Sequence, residues 1–412
     1  MRIAFIITEF PSLAETFILN QITGLIDQGH DISIFAEQLE PEPKVHPDIE
    51  KYDLLKRTRY FRIIPGSKFR RLMEGFFLFS KGLYKSPGFL LKLAAMFFKS
   101  GRKCAPLEKL YLSSIFFGLR PFDIVHCHFG PNGNLGVMLR KIGVVKGKIV
   151  TSFHGYDANS LPLKHRGVYD ELFLTGDLFT TNTNFTASQI IALGCDRDKI
   201  ALLPVGLRIE RFRFQEKSIS PGEKIKLLTV ARLAEKKGHE YAIRALAKVI
   251  SRHKNIIYLV AGDGPLRIKL EALALEAGVK DHIEFLHAVE EKEVLRLYEE
   301  AHIFVLPSIT ARNGDREGQG LVLQEAQAAG LPVISTLHNG IPDGVLDGKS
   351  GFLVPEKDAE ALAGKIEYLI EHPGLWPEMG RQGRRFVEEK YDINKLNQKL
   401  VGIYETLLRR ET

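Results

Sequence analysis

The stretch from residue 303 to residue 335 constrains the fold more than any other part of this sequence. It opens with four apolar residues, Ile303–Leu306, and closes with the apolar pair Val333 and Ile334. A glycine-rich polar segment and then a helical pattern separate the two apolar runs. This order predicts a strand, a loop, a helix and a second strand. The loop would lie at the carboxyl end of its strand, which is where open α/β sheets bind ligands.

Two glutamates eight residues apart lie in this stretch, Glu317 on the predicted loop and Glu325 on the predicted helix. Gly318 and Gly320 allow backbone N–H groups to approach an anion at the start of that helix, where the helix dipole also favours negative charge. We therefore expect an anionic ligand whose two ends meet the two glutamates. The alternative is a solvated surface helix that carries two of the chain's 50 acidic residues.

The length of 412 residues and the apolar content of 45% predict two globular domains. We expect a first domain at 1–206, a linker at 207–222, a second domain at 223–390 and a C-terminal helix at 391–412 that packs on the first domain. Both domains read as doubly wound α/β structures, because strands alternate with helices. No apolar run is long enough to span a membrane. Three scattered cysteines form no metal spacing or disulfide framework, which favours the cytoplasm.

A basic and aromatic region covers residues 56–120. It holds 15 lysines and arginines against two acids, so the rest of the chain has a net charge near −6 out of a total of +7. Ten of the 26 phenylalanines lie there too. Apolar groups interrupted by Lys or Arg are typical of a helix in a membrane interface, and anionic lipids attract such cations. A core helix pair and a single-strand nucleic-acid surface are the alternatives; we expect an anionic membrane surface and no nucleic acid.

The first domain begins with a strand at residues 1–8, which is too short for a signal peptide. Ser12 and Glu15 fit a capping box, so we expect a helix from there to about Gln28. No G-x-G-x-x-G sequence follows the strand, which disfavours a nicotinamide cofactor. The loop offers Glu15 and Thr16 to a hydroxylated ligand, and both are acceptor-side candidates.

Three later strands of the first domain also end in polar residues, at His128, His154 and Thr183. We expect His126 and His128 to point to opposite faces of their strand, without a zinc ligand set. The row of polar strand ends predicts a lined cleft, in which His128 and Asp157 are further acceptor-side candidates. A satisfied structural histidine is the alternative for His154.

Successive strands of the second domain bring cations and glycines to one edge. Arg232 and Lys237 follow one strand, and Gly262 and Gly264 form a turn after the next. Arg and Lys make charge-assisted hydrogen bonds with phosphate, and glycine turns leave N–H groups accessible. A ligand with hydroxyl groups on both sides of a diphosphate, such as a nucleoside-diphosphate sugar, suits this set. No Walker A sequence occurs, which disfavours ordinary ATP hydrolysis.

These residues resemble the motifs of the retaining glycosyltransferases of family 4, which have the GT-B architecture of two facing Rossmann-like domains with a cleft between them. The family's E-x7-E motif matches Glu317 and Glu325, and its R…K pair matches Arg232 and Lys237. Its G-D-G-P turn matches residues 262–265. The sequences FPSLAETF and STLHNGIPDGVLDGKSGFLVP are similar to members that build bacterial exopolysaccharide or lipopolysaccharide.

The resemblance implies a role for each of these residues. Glu325 would bind the ribose hydroxyls, and Glu317 would bind the hydroxyls of the donor sugar. Arg232 and Lys237 would neutralise the departing diphosphate. His154 would contact the donor sugar near the reacting carbon. The remaining donor-binding candidates are Gly262, Gly264, Val289, Gly318, Gln319, Gly320 and Leu321.

The sequence departs from the family pattern in two places. Leu13 and Ala14 replace the glycine pair of the first loop, and Gln319 stands where an aromatic residue is common, which makes Gln319 the candidate for donor choice. The resemblance implies retaining transfer from a UDP- or GDP-sugar to a lipid-linked or polysaccharide acceptor, without a metal or other cofactor, on the cytoplasmic face of the membrane. A nucleotide-sugar epimerase of the same fold and a non-catalytic membrane-surface scaffold are the alternatives.

Overall fold

The computed structural model describes residues 1–12, 15–39, 46–85, 88–89, 91 and 106–409. The chain divides into two compact units. The first contains Met1–Thr181, Gln189–Ala201 and Asn397–Thr412, and the second contains Asn182–Ser188 and Leu202–Leu396. The first unit therefore includes most of the C-terminal helix, and the second begins a few residues before the predicted linker.

The first unit is built on a seven-stranded sheet in the order β3-β2-β1-β4-β5-β6-β7. Its strands are β1 (Arg2–Glu9), β2 (Asp31–Gln38), β3 (Thr58–Tyr60), β4 (Ile124–His128), β5 (Lys148–Phe153), β6 (Leu178–Thr181) and β7 (Ile200–Leu202). The pairs from β3 through β6 are parallel. The described helices of this part of the chain are α1 (Thr16–Asp27), α2 (Pro47–Lys51), α3 (Leu54–Arg57), α4 (Lys68–Lys85), α5 (Pro106–Ser113), α6 (Gly130–Lys141), α7 (Tyr156–Lys164), α8 (Asp170–Thr175) and α9 (Asn184–Ala192).

The second unit is built on a six-stranded parallel sheet in the order β10-β9-β8-β11-β12-β13. Its strands are β8 (Ile225–Val230), β9 (Ile256–Ala261), β10 (Ile283–His287), β11 (Ile303–Leu306), β12 (Val333–Thr336) and β13 (Gly351–Val354). The helices that follow are α10 (His239–Ile250), α11 (Arg267–Glu276), α12 (Glu291–Glu300), α13 (Leu321–Ala328), α14 (Ala359–Glu371), α15 (Trp376–Lys390) and α16 (Ile393–Arg409).

The central strands of both sheets are buried on both faces. In β1 the five residues Ile3–Ile7 are all fully buried, and in β11 Ile303–Leu306 are buried as well. Continuous apolar strands of this kind need helices on each side of the sheet, which is the arrangement of parallel α/β folds. The prediction of two doubly wound α/β domains is confirmed, and so is the strand, loop, helix and strand order of residues 303–335.

The predicted capping box at the first helix is wrong. Helix α1 begins at Thr16, and Glu15 occupies the N-cap position without a side-chain cap bond. The segment after β1 remains attached to the sheet, because the Phe10 N–H donates to the Gln38 carbonyl and the Phe10 carbonyl accepts from the Tyr60 hydroxyl. Ser12 therefore lies before the helix. The predicted departure at Leu13 and Ala14 falls outside the described residues.

Helix α4 lies within the basic and aromatic region and exposes its apolar side chains. Its buried residues are Gly75, Leu78 and Gly82, at helical spacing on one side. The exposed large apolar side chains of the helix are Phe69, Leu72, Met73, Phe76, Phe77, Phe79, Leu83 and Tyr84. They recur every three to four residues and so form the opposite side. The core-packing alternative is therefore wrong for this side of α4. It holds elsewhere in the region, where Phe61, Phe89, Phe116 and Phe117 are buried in the core of the first unit. Residues 86, 87, 90 and 92–105 of the region fall outside the described chain.

No helix in the described part of the chain combines the length and the apolar character that crossing a bilayer requires. The apolar side of α4 is too narrow for that, since lysines and arginines cover much of the remaining circumference. The apolar side of α4 is therefore part of the exposed surface of the first unit.

Candidate functional site

The predicted donor-site residues come together at the carboxyl edge of the second sheet. Arg232 and Lys237 follow β8, Gly262–Gly264 follow β9, Val289 follows β10, and residues 317–320 follow β11. Since β10, β9, β8 and β11 are neighbours in the sheet, these four loops lie side by side. Polar groups after successive parallel strands therefore share one edge, as the topology of open sheets requires.

Glu317 and Lys237 form an ion pair at this edge. Only 13% of the Glu317 side chain and 15% of the Lys237 side chain are exposed. Burial alone would raise the pKa of Glu317, but the Lys237 ammonium outweighs it and holds the pKa below its ordinary value. An ammonium group has three donors and a carboxylate has several acceptor sites, so both can bind a ligand while they are paired.

Glu325 lies on α13 and is held by a tyrosine from the neighbouring helix α12. The Tyr298 hydroxyl donates to Oε2 of Glu325 at 2.9 Å. Burial raises the pKa of Glu325, and the bond from Tyr298 opposes that rise. Tyr298 is not among the residues predicted from the sequence, although its place four residues after Val294 and next to Leu297 marks the buried side of an amphipathic helix.

The start of α13 separates the two glutamates. Gly320 precedes the helix with a φ of +72°, a left-handed conformation that glycine adopts without strain. The helix then begins at Leu321, so its first N–H groups lie between Glu317 and Glu325 along the chain. Such N–H groups and the helix dipole favour an anion at this position.

The structure corrects the role predicted for Gln319. Its side chain is 5% exposed and its amide is used within the protein. Oε1 accepts from the Val205 N–H at 2.8 Å, and Nε2 donates to the Val205 carbonyl at 2.8 Å and to Gln324 at 3.2 Å. The side chain holds the Val205 backbone against the E-x7-E loop. It is therefore not placed to choose the donor sugar.

The glycines of the G-D-G-P turn allow two loops to touch. A Cβ atom on Gly262 would lie 2.1 Å from the Ala231 carbonyl oxygen, and one on Gly264 would lie 2.6 Å from the Leu233 carbonyl oxygen. The N–H of Gly262 donates to the His287 carbonyl, and the N–H of Gly264 donates to the Asp263 carboxylate. These N–H groups already have acceptors, contrary to the expectation that they are accessible. The visible role of both glycines is to fix the loop that carries Arg232.

A histidine and a second glutamate support the loop of Glu317. The N–H of Glu317 donates to Nε2 of His338 at 3.1 Å, and Nδ1 of His338 lies 2.6 Å from Oε1 of Glu356. The N–H of Thr310 donates to Oε2 of Glu356, and Nδ2 of Asn339 donates to the Glu317 carbonyl. His338 and Glu356 are not among the site residues predicted from the sequence. Both residues follow strands, β12 and β13, and a polar residue just after a parallel strand is the sequence signal that indicates a site there.

In the first unit, three histidines stack on one face of the sheet. The rings of His126 and His128 are 4.6 Å apart, and those of His128 and His154 are 5.2 Å apart. The expectation that His126 and His128 point to opposite faces is wrong, because residues two apart in a strand share a face. Burial lowers the pKa of His126 and of His154 to about 3 and lowers that of His128 well below its ordinary value.

Each ring of this stack is held by hydrogen bonds. His126 bonds to the Tyr404 hydroxyl at 2.5 Å and to the Ser152 hydroxyl at 2.7 Å. His128 bonds to Gln21 at 2.9 Å and to Nε2 of His154 at 3.0 Å. Since both nitrogens of the buried His128 are bonded inside the protein, its acceptor-side role is corrected to support of His154.

Asp157 is also an internal residue rather than an acceptor-side group. Its carboxylate accepts from the N–H groups of Gly130, His154 and Gly155 at 2.9–3.0 Å. Burial raises its pKa, and these three bonds oppose the rise. The carboxylate thus joins the loops after β4 and β5 and fixes the backbone of His154.

The remaining acceptor-side candidates, Glu15 and Thr16, stand at the start of α1, where both are partly buried. Their predicted contact with a hydroxylated ligand stays a prediction. No group of three or more His, Cys, Asp and Glu side chains is arranged to hold a metal ion among the described residues. Cys127 and Cys195 are buried free thiols, and Cys104 falls outside the described chain.

Two family models match the chain. The model described as "Glycosyltransferase Family 4" matches residues 14–211, and the model described as "Glycosyl transferases group 1" matches residues 210–386. The first match includes His154, and the second includes all the donor-site residues described above. Together they cover both units.

Named relatives match over the full length. The chain is 35% identical to the colanic acid biosynthesis glycosyltransferase WcaL of Salmonella typhimurium, over 99% of this chain and 100% of that protein. It is 32% identical to the amylovoran biosynthesis glycosyltransferase AmsK of Erwinia amylovora, again over 99% of this chain and 100% of that protein.

Solved structures share the fold. The Anabaena protein HepE, crystallised with UDP and glucose, superimposes with a TM-score of 0.69 at 15% identity, over 98% of this chain and 100% of HepE. The lipopolysaccharide outer core galactosyltransferase WaaB superimposes with a TM-score of 0.68 at 17% identity, over 98% of this chain and 100% of WaaB.

Proposed function

Because this chain belongs to glycosyltransferase family 4 and has the GT-B fold, we propose that it is a retaining enzyme that moves a sugar from a nucleoside-diphosphate sugar to a lipid-linked or polysaccharide acceptor. Full-length similarity to WcaL and AmsK, which are named for exopolysaccharide synthesis, supports this class of product. The observation that carries the proposal is the largely enclosed Lys237–Glu317 pair beside the start of α13, with Glu325 on the same helix.

The donor would bind with its diphosphate beside Lys237 and the start of α13. Glu325 would accept from the ribose hydroxyls, since Tyr298 already orients its carboxylate. Glu317 would accept from hydroxyls of the sugar. HepE holds UDP and glucose, which supports a UDP-sugar, and GDP-sugars fit the same groups because none of these contacts reads the base.

Transfer would proceed by substitution on one face of the sugar. The acceptor hydroxyl attacks the anomeric carbon as the bond to the diphosphate breaks, and the leaving phosphate oxygen takes the acceptor's proton. Negative charge then grows on the leaving group, where Lys237 and Arg232 stabilise it. Fixed charges that need no reorganisation supply the largest share of such catalysis in many enzymes. No cofactor or metal enters this sequence of events, which is part of the proposal.

A product assay tests the proposed activity. Purified protein is incubated with UDP-glucose or GDP-mannose and with a lipid extract as acceptor, and release of nucleoside diphosphate is measured with and without the extract. We expect release of nucleoside diphosphate only when the acceptor is present. The transferred sugar in the product should keep the anomeric configuration that it has in the donor. An altered nucleotide sugar formed without acceptor would indicate the epimerase instead.

The acceptor side of the proposal includes an anionic membrane surface at the cytoplasmic face, contacted by α4. Phe76 is 71% exposed and Phe77 is 60% exposed on the apolar side of this helix. Lys81 and Lys85 of the same helix supply positive charge, whereas Arg70 is paired with Glu74. Apolar side chains flanked by cations fit the boundary between headgroups and acyl chains.

The variant Phe76→Ser/Phe77→Ser is expected to bind vesicles at least about tenfold more weakly than the wild type, because fully burying a phenylalanine side chain contributes roughly 1.5–3 kcal/mol. Flotation with vesicles of phosphatidylglycerol and phosphatidylcholine measures the bound fraction. Ile268→Ser/Leu275→Ser is the matched control, since it removes two exposed apolar side chains from α11. Equal binding of all three proteins would rule out α4 as the membrane-binding surface. Binding that does not depend on the phosphatidylglycerol content or the salt concentration would rule it out as well.

A further inference from the structure

The Glu317 loop is held by a hydrogen-bond relay that spans three strand ends of the second sheet. Thr310 and Glu317 belong to the loop after β11, His338 follows β12, and Glu356 follows β13. We infer that His338 and Glu356 are positioning residues that set where the Glu317 carboxylate meets the donor sugar. This inference rests on the proposed function, in which Glu317 binds that sugar.

The hydrogen bonds allow only one arrangement of the proton on His338. A backbone N–H can only donate, so Nε2 of His338 must accept from Glu317 at 3.1 Å. The amide Nδ2 of Asn339 lies 3.0 Å from the same Nε2 as a second donor. A neutral imidazole with a free lone pair on Nε2 carries its proton on Nδ1. That nitrogen lies 2.6 Å from Oε1 of Glu356 and donates to it.

Glu356 must therefore be a carboxylate. Its Oε1 accepts from His338, and its Oε2 accepts from the N–H of Thr310 at 2.7 Å. Burial would raise the pKa of Glu356, but these bonds outweigh it and lower the pKa. An amide in this place has a single acceptor oxygen and two N–H donors, so a glutamine would oppose one of its two neighbours.

The peptide of Glu317 is fixed on both sides. Its N–H is held by His338, and its carbonyl accepts from Nδ2 of Asn339 at 3.1 Å. Asn339 adopts a φ of +45°, an unusual conformation for a residue with a side chain, and so aims its amide back at the loop. Because the backbone is fixed in this way and the carboxylate is paired to Lys237, the Glu317 side chain is held in a single orientation.

A change in the relay should affect the sugar end of the donor and leave the nucleotide end unaffected. Displacement of a positioned group by about 1 Å can reduce a rate by about a hundredfold. A relaxed Glu317 loop should weaken contact with the sugar, while the ribose contact of Glu325 depends on Tyr298 and α13 instead. The relay should therefore affect affinity for the nucleotide sugar and leave affinity for the nucleoside diphosphate unchanged.

A matched control exists at the opposite edge of the same sheet. His302, just before β11, accepts from the N–H of Lys226 at 3.0 Å on Nδ1 and lies 3.5 Å from Glu223 on Nε2. This is the same backbone, histidine and glutamate arrangement, placed at the amino ends of the strands. His302→Asn should cost similar stability without any change at Glu317.

Titration of the wild type, Glu356→Gln, His338→Phe and His302→Asn with UDP-glucose, GDP-mannose, UDP and GDP tests the inference. We expect Glu356→Gln and His338→Phe to lose about tenfold or more in affinity for the nucleotide sugar alone, the scale of one hydrogen bond to a charged group. His302→Asn should keep both affinities. Equal affinities in the relay variants and the wild type would overturn the inference and leave the proposed function intact.

The tautomer gives a readout that needs no nucleotide. Nitrogen-15 histidine spectra of the wild type, assigned by the signal missing in His338→Phe, should show His338 protonated on Nδ1 only. In Glu356→Gln this preference should be reduced or lost. A wild-type His338 protonated on Nε2 would overturn the inference, whereas a wild type with the expected tautomer that binds no nucleotide or nucleotide sugar would count against the proposed function.

Discussion

Lys237→Ala is expected to reduce sugar transfer by at least about a hundredfold. Lys237 is a largely enclosed cation at the donor edge, with 15% of its side chain exposed. Removal of one preorganised electrostatic group from a catalytic site commonly costs 10²–10³ in turnover. The variant also leaves Glu317 without its partner in a site that is mostly closed to water. Loss of diphosphate stabilisation and displacement of the sugar contact should then act together. Turnover of nucleotide sugar with saturating acceptor measures the effect.

Two further variants separate this effect from general damage. Lys236→Ala removes the same charge one residue earlier, where the lysine pairs with Asp315 at the surface, and should keep most of the activity. Lys237→Ala/Glu317→Gln avoids an unpaired buried carboxylate, so it should melt closer to the wild type than Lys237→Ala while it stays inactive. Equal turnover of Lys237→Ala and the wild type would show that the assigned site is not the catalytic one.

The free energy of unfolding is expected to fall steeply as the pH falls below about 6.5. His126 and His154 have folded-state pKa values near 3, that of His128 is also strongly lowered, and the ordinary value is 6.5. Between these values the unfolded chain binds more protons than the folded one, so stability rises with pH in that window and is lost on acidification. Each histidine contributes about 1.4 kcal/mol per pH unit. Three together approach the whole stability of a typical domain within a few pH units.

Replacement of one histidine isolates its contribution to the pH dependence of the free energy of unfolding. His126→Gln retains a side chain that can bond Ser152 or Tyr404, yet it cannot take up a proton in this range. Urea unfolding between pH 6.5 and pH 4.5 should show a slope of stability against pH that is shallower by about one proton than in the wild type. Parallel slopes would mean that His126 is not a buried neutral group.

The architecture was predictable because its signals are local. Apolar runs such as Ile3–Ile7 and Ile303–Leu306 report burial on both faces, and the alternation with helices then implies parallel sheets. The start of α1 was not predictable in this way. Tyr60, far along the chain, and Gln38 hold the Phe10 segment to the sheet, and no pattern near Ser12 reveals those bonds.

The site was predictable in part. Charged residues after strands, such as Lys237 and Glu317, reach one edge through topology alone. Whether a polar side chain there faces a ligand or the protein depends on contacts distant in sequence. Gln319 bonds to Val205 and Asp157 bonds to Gly130, so the ligand contacts predicted for both are wrong. The opposite faces predicted for His126 and His128 are wrong because residues two apart in a strand share a face. His338 was passed over because its partners Glu317 and Glu356 are about 20 residues away on either side.

A nucleoside-diphosphate sugar that binds the second unit between Glu317 and Glu325 should stabilise the folded protein. The melting temperature in a panel of UDP- and GDP-sugars tests it most directly. A ligand at 100 times its dissociation constant adds about 2.7 kcal/mol, which corresponds to a rise of several degrees. We expect this rise for at least one nucleotide sugar in the wild type and its loss in Glu325→Ala. No rise with any nucleotide sugar, or an undiminished rise in Glu325→Ala, would contradict it.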